Sequence, residues 1–382
     1  MKVLISSYTN GRLNTSEKSD LLNAGQVQLV LGFGAKEILD KDKIYQQLRG
    51  QYPGADIVLC STSGEIFDDK VMEHSVAVTA IEFVNTRIKT AVVKIDDFHN
   101  NSFDAGLALI QQLDITGELC YIMILSDGGK VNGSELVNGI NEHVRYKVPV
   151  TGGLAGDGTS FYSTLVGLNE EPVSGNIVAI GFYGQHLRVA HGSLGGWEMF
   201  GPERTVTRSK ANQLFEINHE NALGVYKKYL GSYADELPGS ALLFPLSVKL
   251  SPDSEPVVRT ILSIDNESKS MVFAGDVPEG AKVRFMKANF DKLIDAANNA
   301  ARQTMLSKLV PNPKLAILIS CVGRKIILDT RTEEEVEAVR EVFGNGTLLT
   351  GFYSYGEISP FSTSNKCELH NQTMTITTFD EI

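Results

Sequence analysis

The chain has 382 residues, of which 42% are hydrophobic and 21% are charged, and its formal net charge at pH 7 is −11. This composition is typical of a soluble globular protein, and the length predicts two domains or one large repeated unit. The acidic balance excludes a protein that binds nucleic acid through a cationic stripe, because phosphate contacts require clustered Lys and Arg.

The N-terminal stretch MKVLISSYTNGRLNTSEKSD has an apolar run too short for a signal peptide. No run of about 18 apolar residues exists, so we expect no membrane span and a cytoplasmic protein. The four cysteines form no CxxC pair, which argues against a zinc ribbon or a thioredoxin-type motif. Cys60, Cys120 and Cys321 lie in or beside apolar strand-like segments and are predicted to be buried thiols.

One pattern of elements occurs three times: an apolar strand, a helix, a second strand ending in glycine and an acid, and a later strand. The first copy runs from QLVLGFGAKEIL through VLCSTSGEI to HSVAVTAIEF, with a helix around Ile44 to Leu48. The second runs from CYIMILSDGG through VPVTGGLAGDG to GNIVAIGFYG, with a helix around Ser134 to His143. The third runs from KLAILISCVGRKIIL through GNGTLLTGFYSYGEI to HNQTMTITTF.

The helix of the third copy, TEEEVEAVREVF, has the best-defined ends. Thr332 is predicted to cap it, with Glu335 as its capping-box partner, and Gly344 follows the last turn. Apolar strands on both sides of such helices predict an α/β fold of mixed α+β type. We expect helix-covered sheets built from internally repeated β-α-β units.

A different region separates the second and third copies. A strand is predicted around Arg204 to Arg208, a helix around Ala222 to Tyr229, and further strands in SALLFPLSVKL, VVRTILSIDN, SMVFAGDV and KVRFMKAN. The segment NFDKLIDAANNAARQTMLSKL has the period of an amphipathic helix. We predict two rigidly docked domains, residues 1–217 and residues 218–382.

An acid follows the aligned glycine of each copy: Glu65, Asp157 and Glu357. Equivalent strand ends could bring these carboxylates together in a pocket, where paired carboxylates do acid-base work, or could leave them on separate edges. Gly156 lies in GGLAGDG, which is either a nest of backbone N–H groups or a bulged turn between strands. Asp157 argues against a phosphate there and leaves an amine or a neutral polar ligand.

The segment GFYSYGEISP adds Tyr353 and Tyr355, whose alternation predicts that both side chains project to one face. An aromatic wall beside Glu357 suits a cationic or zwitterionic small molecule, and the alternative is a pair of core tyrosines. His370 and Asn371 precede the last strand in CELHNQT. His370 is either a ligand contact, an axial ligand of haem, or a structural histidine.

The remaining signals are weaker. Trp197, the only tryptophan, is either a stacking platform for a ligand or a packing anchor between domains. Ser61 and Ser63 have no base linked to them by a motif, so a nucleophilic triad is not predicted. An enzyme, if the chain is one, would be a hydrolase that uses the carboxylates and His370.

These stretches together resemble the FIST family, a sensory module with an N and a C part, over nearly the whole chain. The motifs that carry the resemblance are YPGADIVLCSTSGEI, LSDG, GGLAGDG, GGWEMFGPERTVTRS, VVRTILSIDNESKSMVFAGDVPEG, GFYSYGEISP and HNQT. The resemblance implies a protein that binds a small ligand, such as an amino acid, and signals to another protein. A subgroup of the family resembles nitric oxide sensors that bind haem and regulate histidine kinases, which makes haem an alternative cofactor.

We therefore predict a sensor rather than an enzyme. Its predicted ligand-binding residues are Glu357, Tyr355, Tyr353, His370, Asn371, Glu65, Asp157, Gly156 and Trp197. Glu357 would receive an amine, Tyr355 would form an aromatic wall, and His370 would donate a hydrogen bond or bind iron. No output domain is recognised in these residues, so the resemblance implies a partner in trans, such as a histidine kinase or a cyclic-dinucleotide enzyme.

Overall fold

The computed structural model describes residues 1–115, 117–251, 254–306, 309–361 and 365–382. Eight α-helices lie within these residues: α1 (Lys36–Lys41), α2 (Ile44–Gln51), α3 (Ser102–Gln111), α4 (Gly133–Val144), α5 (Ala222–Leu230), α6 (Phe290–Leu306), α7 (Val322–Leu328) and α8 (Thr332–Phe343). None of these described helices is both long enough and apolar enough to cross a membrane.

The described residues also form 26 strands. The first half of the chain contains β1 (Lys2–Thr9), β2 (Arg12–Thr15), β3 (Leu29–Ala35), β4 (Asp56–Thr62), β5 (Glu65–Phe67), β6 (Lys70–Met72), β7 (Val76–Glu82), β8 (Arg87–Lys94), β9 (Leu119–Ser126), β10 (Val150–Leu154), β11 (Val166–Leu168), β12 (Asn176–Tyr183) and β13 (Leu187–Leu194). The second half contains β14 (Glu198–Lys210), β15 (Gln213–Ile217), β16 (Glu220–Asn221), β17 (Leu246–Lys249), β18 (Val257–Arg259), β19 (Ile261–Asp265), β20 (Ser270–Phe273), β21 (Lys282–Lys287), β22 (Leu315–Cys321), β23 (Leu348–Ser354), β24 (Gly356–Pro360), β25 (Cys367–His370) and β26 (Met374–Glu381).

Three six-stranded sheets correspond to the three copies of the repeat. Sheet 1 has the order β11-β4-β3-β7-β1-β2, sheet 2 has the order β25-β24-β10-β9-β12-β8, and sheet 3 has the order β13-β26-β22-β23-β5-β6. Each is built on a parallel pair, β3–β4, β9–β10 or β22–β23. The last strand of each copy runs antiparallel to the first strand of that pair. The predicted fold class, with its repeated β-α-β units, is confirmed.

A strand that precedes each copy completes the repeat. β1, β8 and β13 pair antiparallel with the last strands β7, β12 and β26. The short strands that follow the second strand of each copy are then exchanged between sheets: β5 pairs with β23, β24 with β10, and β11 with β4. Because this exchange is cyclic, each sheet contains a strand from another copy, and the three copies interlock.

The strands of the parallel pairs are apolar on both faces, as expected for strands covered on both sides. Alternate residues face a core shared by all three sheets: Leu29, Leu31 and Phe33 in β3, Tyr121, Met123 and Leu125 in β9, and Leu315, Ile317 and Ile319 in β22. The intervening residues, such as Val30, Ile122 and Leu318, pack beneath the helices. Fully burying each large side chain contributes roughly 1.5–3 kcal/mol, so the shared core is a major source of stability.

Residues 198–287 are inserted into the third copy between β13 and β22, and we call them the insert. Their eight strands form a sheet of the order β18-β17-β21-β14-β15-β20-β19, with β16 beside β15, and this insert sheet has its own core with α5. Arg259 of the insert is fully buried and reaches sheet 2, where its Nη1 donates to the carbonyl of Leu369 at 2.8 Å. The insert therefore packs directly on the three-sheet body.

The capping box predicted for α8 is not formed. The N-cap is Arg331, which makes no side-chain cap bond, and the hydroxyl of Thr332 instead donates to the carbonyl of Asp329 at 2.6 Å. Glu335 turns inward and forms a fully buried ion pair with Arg324 at 2.8 Å. A cap is worth only about 1 kcal/mol, whereas a buried guanidinium without a counter-charge costs several, so the ion pair prevails.

The segment SALLFPLSVKL is not one strand, as the sequence predicts. A 3-10 helix covers Gly239–Leu243, and β17 begins at Leu246. Pro245 lacks a backbone N–H and disfavours helical geometry in the residue before it, so the helical turn ends there and the strand begins after it.

Candidate functional site

Glu65 is a buried carboxylate that joins two strands of the first copy. It accepts hydrogen bonds from the hydroxyl of Thr62 at 2.5 Å and from the hydroxyl and N–H of Ser75 at 2.6 and 3.2 Å. Burial raises its pKa to about 7, and the bonds from Ser75 and Thr62 act in the opposite direction. These bonds fasten the turn before β5 to the beginning of β7.

Glu357 makes the same set of bonds in the third copy. It accepts from the hydroxyl of Ser354 at 2.7 Å and from the hydroxyl and N–H of Thr373 at 2.9 and 3.1 Å. Burial raises the pKa of Glu357 to about 7 as well, against the bonds from Ser354 and Thr373. Both glutamates therefore lock an exchanged strand to the start of the last strand in their copy, and their oxygens are already engaged.

The second copy makes the corresponding lock from a different strand. Asp127, directly after β9, accepts from the hydroxyl of Ser174 at 3.1 Å and from the N–H of Gly175 at 2.9 Å, just before β12. Asp157, which follows the aligned glycine, does not make this bond. The second copy thus departs from the repeat, and Asp157 is available for other contacts.

Asp157 meets Tyr355 of the third copy. The phenol of Tyr355 donates to one oxygen of Asp157 and accepts from the N–H of Phe161 at 3.1 Å. The other oxygen of Asp157 accepts from the N–H groups of Tyr162 at 3.0 Å and Ser163 at 2.8 Å. Burial and the neighbouring Asp157 raise the pKa of Tyr355, so the phenol stays protonated and can donate. Residues 157–163 therefore form a loop, which we call the wall loop, around one phenol oxygen.

Phe161 completes this wall. Its ring stacks on Tyr355 with 4.6 Å between centroids and an interplanar angle of 17°. Its φ of +52° lies in the left-handed region, which is uncommon for an aromatic residue and costs energy that the stack and the hydrogen bonds must offset. The ring is 50% exposed, so one of its sides remains open to a bound molecule.

A cavity of about 340 Å³ opens beside the Tyr355–Phe161 pair. It lies at the carboxyl end of the parallel pair β9–β10, the position at which α/β sheets commonly bind ligands. One side is formed by the loop after β9 and the first residue of α4: Gly128, Gly129, Lys130, Val131, Asn132 and Gly133. The insert forms the opposite side with Asn212, Leu262, Phe273, Ala274 and Gly275. The cavity therefore lies between the three-sheet body and the insert.

Asn132 holds the polar end of this cavity in place. Its side-chain oxygen caps α4 by accepting from the N–H groups of Ser134 at 3.0 Å and Glu135 at 3.2 Å. Its side-chain nitrogen donates to Asp276 of the insert at 3.1 Å. The lining combines the polar backbone of the loop after β9 with the rings of Tyr355 and Phe161, and such a mixed lining suits non-covalent binding of a small molecule. Within the described ranges, no three His, Cys, Asp or Glu side chains are grouped to hold a metal ion.

The structure brings together two of the nine predicted ligand-binding residues, Tyr355 and Asp157. Gly156 instead packs on the first copy, where its N–H donates to the carbonyl of Ser61 at 2.9 Å. Tyr353 does not share a face with Tyr355, contrary to the expectation, because its phenol donates to Glu335 at 2.8 Å in the core beneath α8. The alternation rule holds within one strand, whereas Tyr355 lies at the break between β23 of sheet 3 and β24 of sheet 2.

His370 is buried away from the cavity. Its Nε2 donates to the carbonyl of Ser359 at 3.0 Å, and Phe361 packs on its ring edge to face. Burial lowers its pKa to about 4, so the imidazole is neutral at pH 7. Because Nε2 is engaged by the backbone, His370 does not present it to a cofactor, and the residues here do not fit the axial haem site that the sequence suggested.

Asn371 and Trp197 have contacts of a structural kind. The side-chain oxygen of Asn371 accepts from the N–H of Thr260 at 3.4 Å, which adds a contact between the insert and sheet 2. The indole N–H of Trp197 donates to the carbonyl of Gln372 at 3.0 Å, and its ring packs beside Leu293 where the insert begins. These contacts of Trp197 agree with the packing role that the sequence offered as the alternative to ligand stacking.

Sequence reasoning did not identify Phe161, Asn132 or the insert residues as parts of one site. Asn132 carries a local signal, since Asn followed by Gly after a strand is typical of a helix N-cap. Phe161 and Phe273 carry no such signal, because an isolated aromatic residue in a sequence is normally interpreted as part of the hydrophobic core.

The chain is thus assembled from three interlocked copies and an insert, with a cavity between the three-sheet body and the insert. The chain matches the model of the FIST N domain over residues 28–220 and that of the FIST C domain over residues 222–360. It therefore belongs to the FIST family, whose domains are small-ligand sensory domains of signalling proteins.

Comparison with solved structures yields distant likenesses. A cyanuric acid hydrolase from A. caulinodans is similar over 100% of this chain and 99% of that chain, with 6% identity and a TM-score of 0.41. A chorismatase is similar over 99% of this chain and 98% of that chain, with 10% identity and a TM-score of 0.34. No curated protein sequence matches the chain.

Proposed function

We propose that this protein is a sensor that binds a free amino acid in the cavity beside Tyr355 and thereby modulates a signalling partner in trans. The departure of the second copy from its own repeat carries the proposal. Asp127 takes over the strand lock, and Asp157 with the wall loop instead surrounds Tyr355 at the cavity. A deviation at one of three equivalent positions is expected where function, rather than folding, selects the residues.

The chemistry of the cavity suits a small zwitterion. At about 340 Å³ it is near the lower end of the usual range for ligand pockets, roughly 300–1,000 Å³. Asn132 already caps the N–H groups of Ser134 and Glu135, so the first turn of α4 favours a carboxylate only through its partial positive charge. The rings of Tyr355 and Phe161 attract an apolar side chain or an ammonium group, and the carboxylate of Asp157 lies directly behind the phenol.

The position of the cavity supports a signalling role. Its walls come from the three-sheet body and from the insert, so a ligand that contacts both stabilises one relative arrangement of the two parts. A ligand shifts such an equilibrium only by its difference in affinity for the two arrangements. A partner such as a histidine kinase or a cyclic-dinucleotide enzyme would respond to the arrangement that the ligand stabilises.

A pair of tyrosine variants tests this proposal. Each proteinogenic amino acid is added singly, the melting temperature is recorded, and the affinity of any stabilising amino acid is measured by titration calorimetry. Tyr355→Phe removes the phenol that holds the wall loop, and we expect about tenfold weaker binding, or ~1.4 kcal/mol. Tyr353→Phe is the matched control, because it removes a phenol bonded to Glu335 in the core. It should lower the melting temperature and leave the affinity unchanged.

Several outcomes would contradict the proposal. If no amino acid raises the melting temperature, the ligand class is wrong, and if both variants weaken binding equally, the site is wrong. A Soret band that appears with added haem and is lost in His370→Ala would favour the haem-binding nitric oxide sensor instead. Turnover of amino-acid amides or esters by the purified protein would favour a hydrolase.

A further inference from the structure

Strand β13 is an edge of sheet 3 that is paired on one side only. It runs antiparallel to β26, and the N–H of Ile382 donates to the carbonyl of His186 at 3.0 Å. In an antiparallel ladder, alternate residues point their N–H and C=O groups toward the partner strand. This bond therefore directs the even-numbered residues of β13 toward β26 and the odd-numbered residues away from it.

The outward backbone groups of β13 are largely unused. The N–H of Ser193 donates to the side chain of Gln303 at 3.2 Å. For Leu187, Val189 and His191, no hydrogen bond of the outward N–H or C=O groups is found with any described residue. From Leu187 to Ser193 the edge is roughly 20 Å long, at about 3.4 Å per residue.

The other edges of the three six-stranded sheets are protected from added strands. β2, β6, β11 and β25 have only three or four residues each. β8 has eight residues but carries Arg87, Lys89 and Lys94, and such charges discourage edge pairing. β13 also has eight residues, with Arg188 as its one constitutive charge. Within the described part of the chain, β13 therefore has neither the short length nor the several charges that protect the other edges.

A groove of about 750 Å³ runs along this unprotected edge. Its lining includes the apolar side chains of Leu306 and Leu309, which are 78% and 54% exposed, and the ring of Phe361. Exposed leucines beside a groove are typical of surfaces that bind another molecule. We call this feature the edge groove.

We propose that the edge groove binds an extended peptide segment of a signalling partner, which adds to sheet 3 as a strand beside β13. The outward N–H and C=O groups of β13 recur at every second residue, which is the spacing that an extended peptide backbone can pair with. Leu306, Leu309 and Phe361 would contact the apolar side chains of the bound peptide. A single segment fits better than a second copy of this chain, because residues of neighbouring segments, such as Pro149, Leu306 and Phe361, line the groove together with β13, so the edge does not stand clear for a whole sheet. This site is separate from the cavity at Tyr355, so it does not depend on the ligand proposed there.

The test begins with short random peptides displayed on phage and selected on the full chain. Selected peptides are synthesised, and their affinities are measured for the wild type, Val189→Pro and Val189→Ala. Proline removes the outward N–H and is tolerated at such an edge position, whereas alanine keeps the N–H and serves as the control. We expect Val189→Pro to weaken binding at least about tenfold and Val189→Ala to weaken it much less.

A second arm uses only the unmodified protein, so it remains decisive even if Val189→Pro fails to fold. Each selected peptide is remade with N-methyl groups on its odd-numbered or its even-numbered residues. If the peptide adds as a strand, N-methylation of one alternate set of its residues abolishes binding, and N-methylation of the other set leaves binding nearly unchanged. Binding of the unmodified peptide should also slow amide exchange at Leu187, Val189 and His191. The proposal is overturned if no peptide is selected, if both parities act alike, or if β13 instead mediates a dimer that Val189→Pro dissolves.

Discussion

At the scale of single residues, the two buried glutamates make stability depend on pH in an unusual direction. Burial raises the pKa of Glu65 and of Glu357 from 4.5 to about 7. Between these values the folded protein binds more protons than the unfolded chain, so the contribution of each glutamate to stability falls as the pH rises from 4.5 to about 7. His370 acts oppositely, because its lowered pKa of about 4 removes stability as the pH falls below 6.5.

Glu357→Gln isolates one of these contributions. Because glutamine cannot ionise, the free energy of unfolding of the variant relative to the wild type should rise between about pH 4.5 and pH 7. The pKa of Glu357 rises from 4.5 to about 7, and each pKa unit corresponds to about 1.4 kcal/mol, so the rise should be on the order of 3 kcal/mol. Urea unfolding at a series of pH values measures it. The contribution of His370 cancels in this difference, and a difference that stays flat across the window would contradict the raised pKa of Glu357.

At the scale of elements, the parallel pairs of the second and third copies depend on equivalent glycines. Gly152 in β10 and Gly351 in β23 have φ values of +158° and +155°. A Cβ at Gly152 would lie 1.9 Å from the carbonyl oxygen of Ile124, and one at Gly351 would lie 1.8 Å from that of Leu318. Backbone of the neighbouring strand occupies the space of a side chain at both positions, so only glycine allows the strands to approach this closely.

Gly351→Ala should therefore destabilise the protein severely. We expect a loss of about 3 kcal/mol or more in the free energy of unfolding, because the clash is with backbone that cannot rotate away. Gly346→Ala is the matched control, since nothing lies within 4 Å of an added Cβ at this exposed turn. The control should stay within about 0.5 kcal/mol of the wild type in urea unfolding. Equal effects of the two substitutions would show that the close approach of β23 to β22 is not required.

At the scale of the whole molecule, Arg259 couples the insert to the three-sheet body. Its Nη1 donates to the carbonyl of Leu369 in sheet 2 at 2.8 Å, and its Nε donates to the carbonyl of Asp276 at 3.0 Å. Burial lowers its pKa to about 10, so the guanidinium remains charged at neutral pH. Leu369 also lines the cavity, so this contact lies directly behind the proposed ligand site.

Arg259→Leu should uncouple the insert from the rest of the chain. The two carbonyls lose their donor, and each buried unsatisfied group costs about 1–3 kcal/mol. We expect amide exchange in β17 to β21 to accelerate more than exchange in the three-sheet body. Arg208→Leu is the control, because it removes an exposed ion pair with Glu216 within the same insert sheet and should cost at most about 1 kcal/mol. Uniform acceleration throughout the chain would mean that Arg259 supports global stability rather than coupling.

Local patterns suffice for much of the fold. The strand LAILISC and the helix TEEEVEAVREVF can be recognised from a short stretch of sequence. A strand or a helix places side chains on its faces at a fixed period, so its hydrophobic pattern is visible in neighbouring residues. The same reasoning failed for Glu335, whose local signal for a cap was overridden by Arg324 in the core. The sequence showed that a different region precedes the third copy, but not that β13 belongs to that copy, because its partner β26 lies about 180 residues further along the chain.

The sequence by itself determined the threefold repeat of strand, helix and strand and the family, because each is encoded in periodicity or in short motifs. Only the tertiary structure decided which residues meet. Asp157 and Tyr355 are separated by 198 residues and come together because β24 is exchanged into sheet 2. Glu65 and Glu357 became locks and Asp157 did not, because Asp127 reaches the start of β12 from β9 instead. Such contacts depend on the geometry of whole sheets, which no single segment of the chain contains.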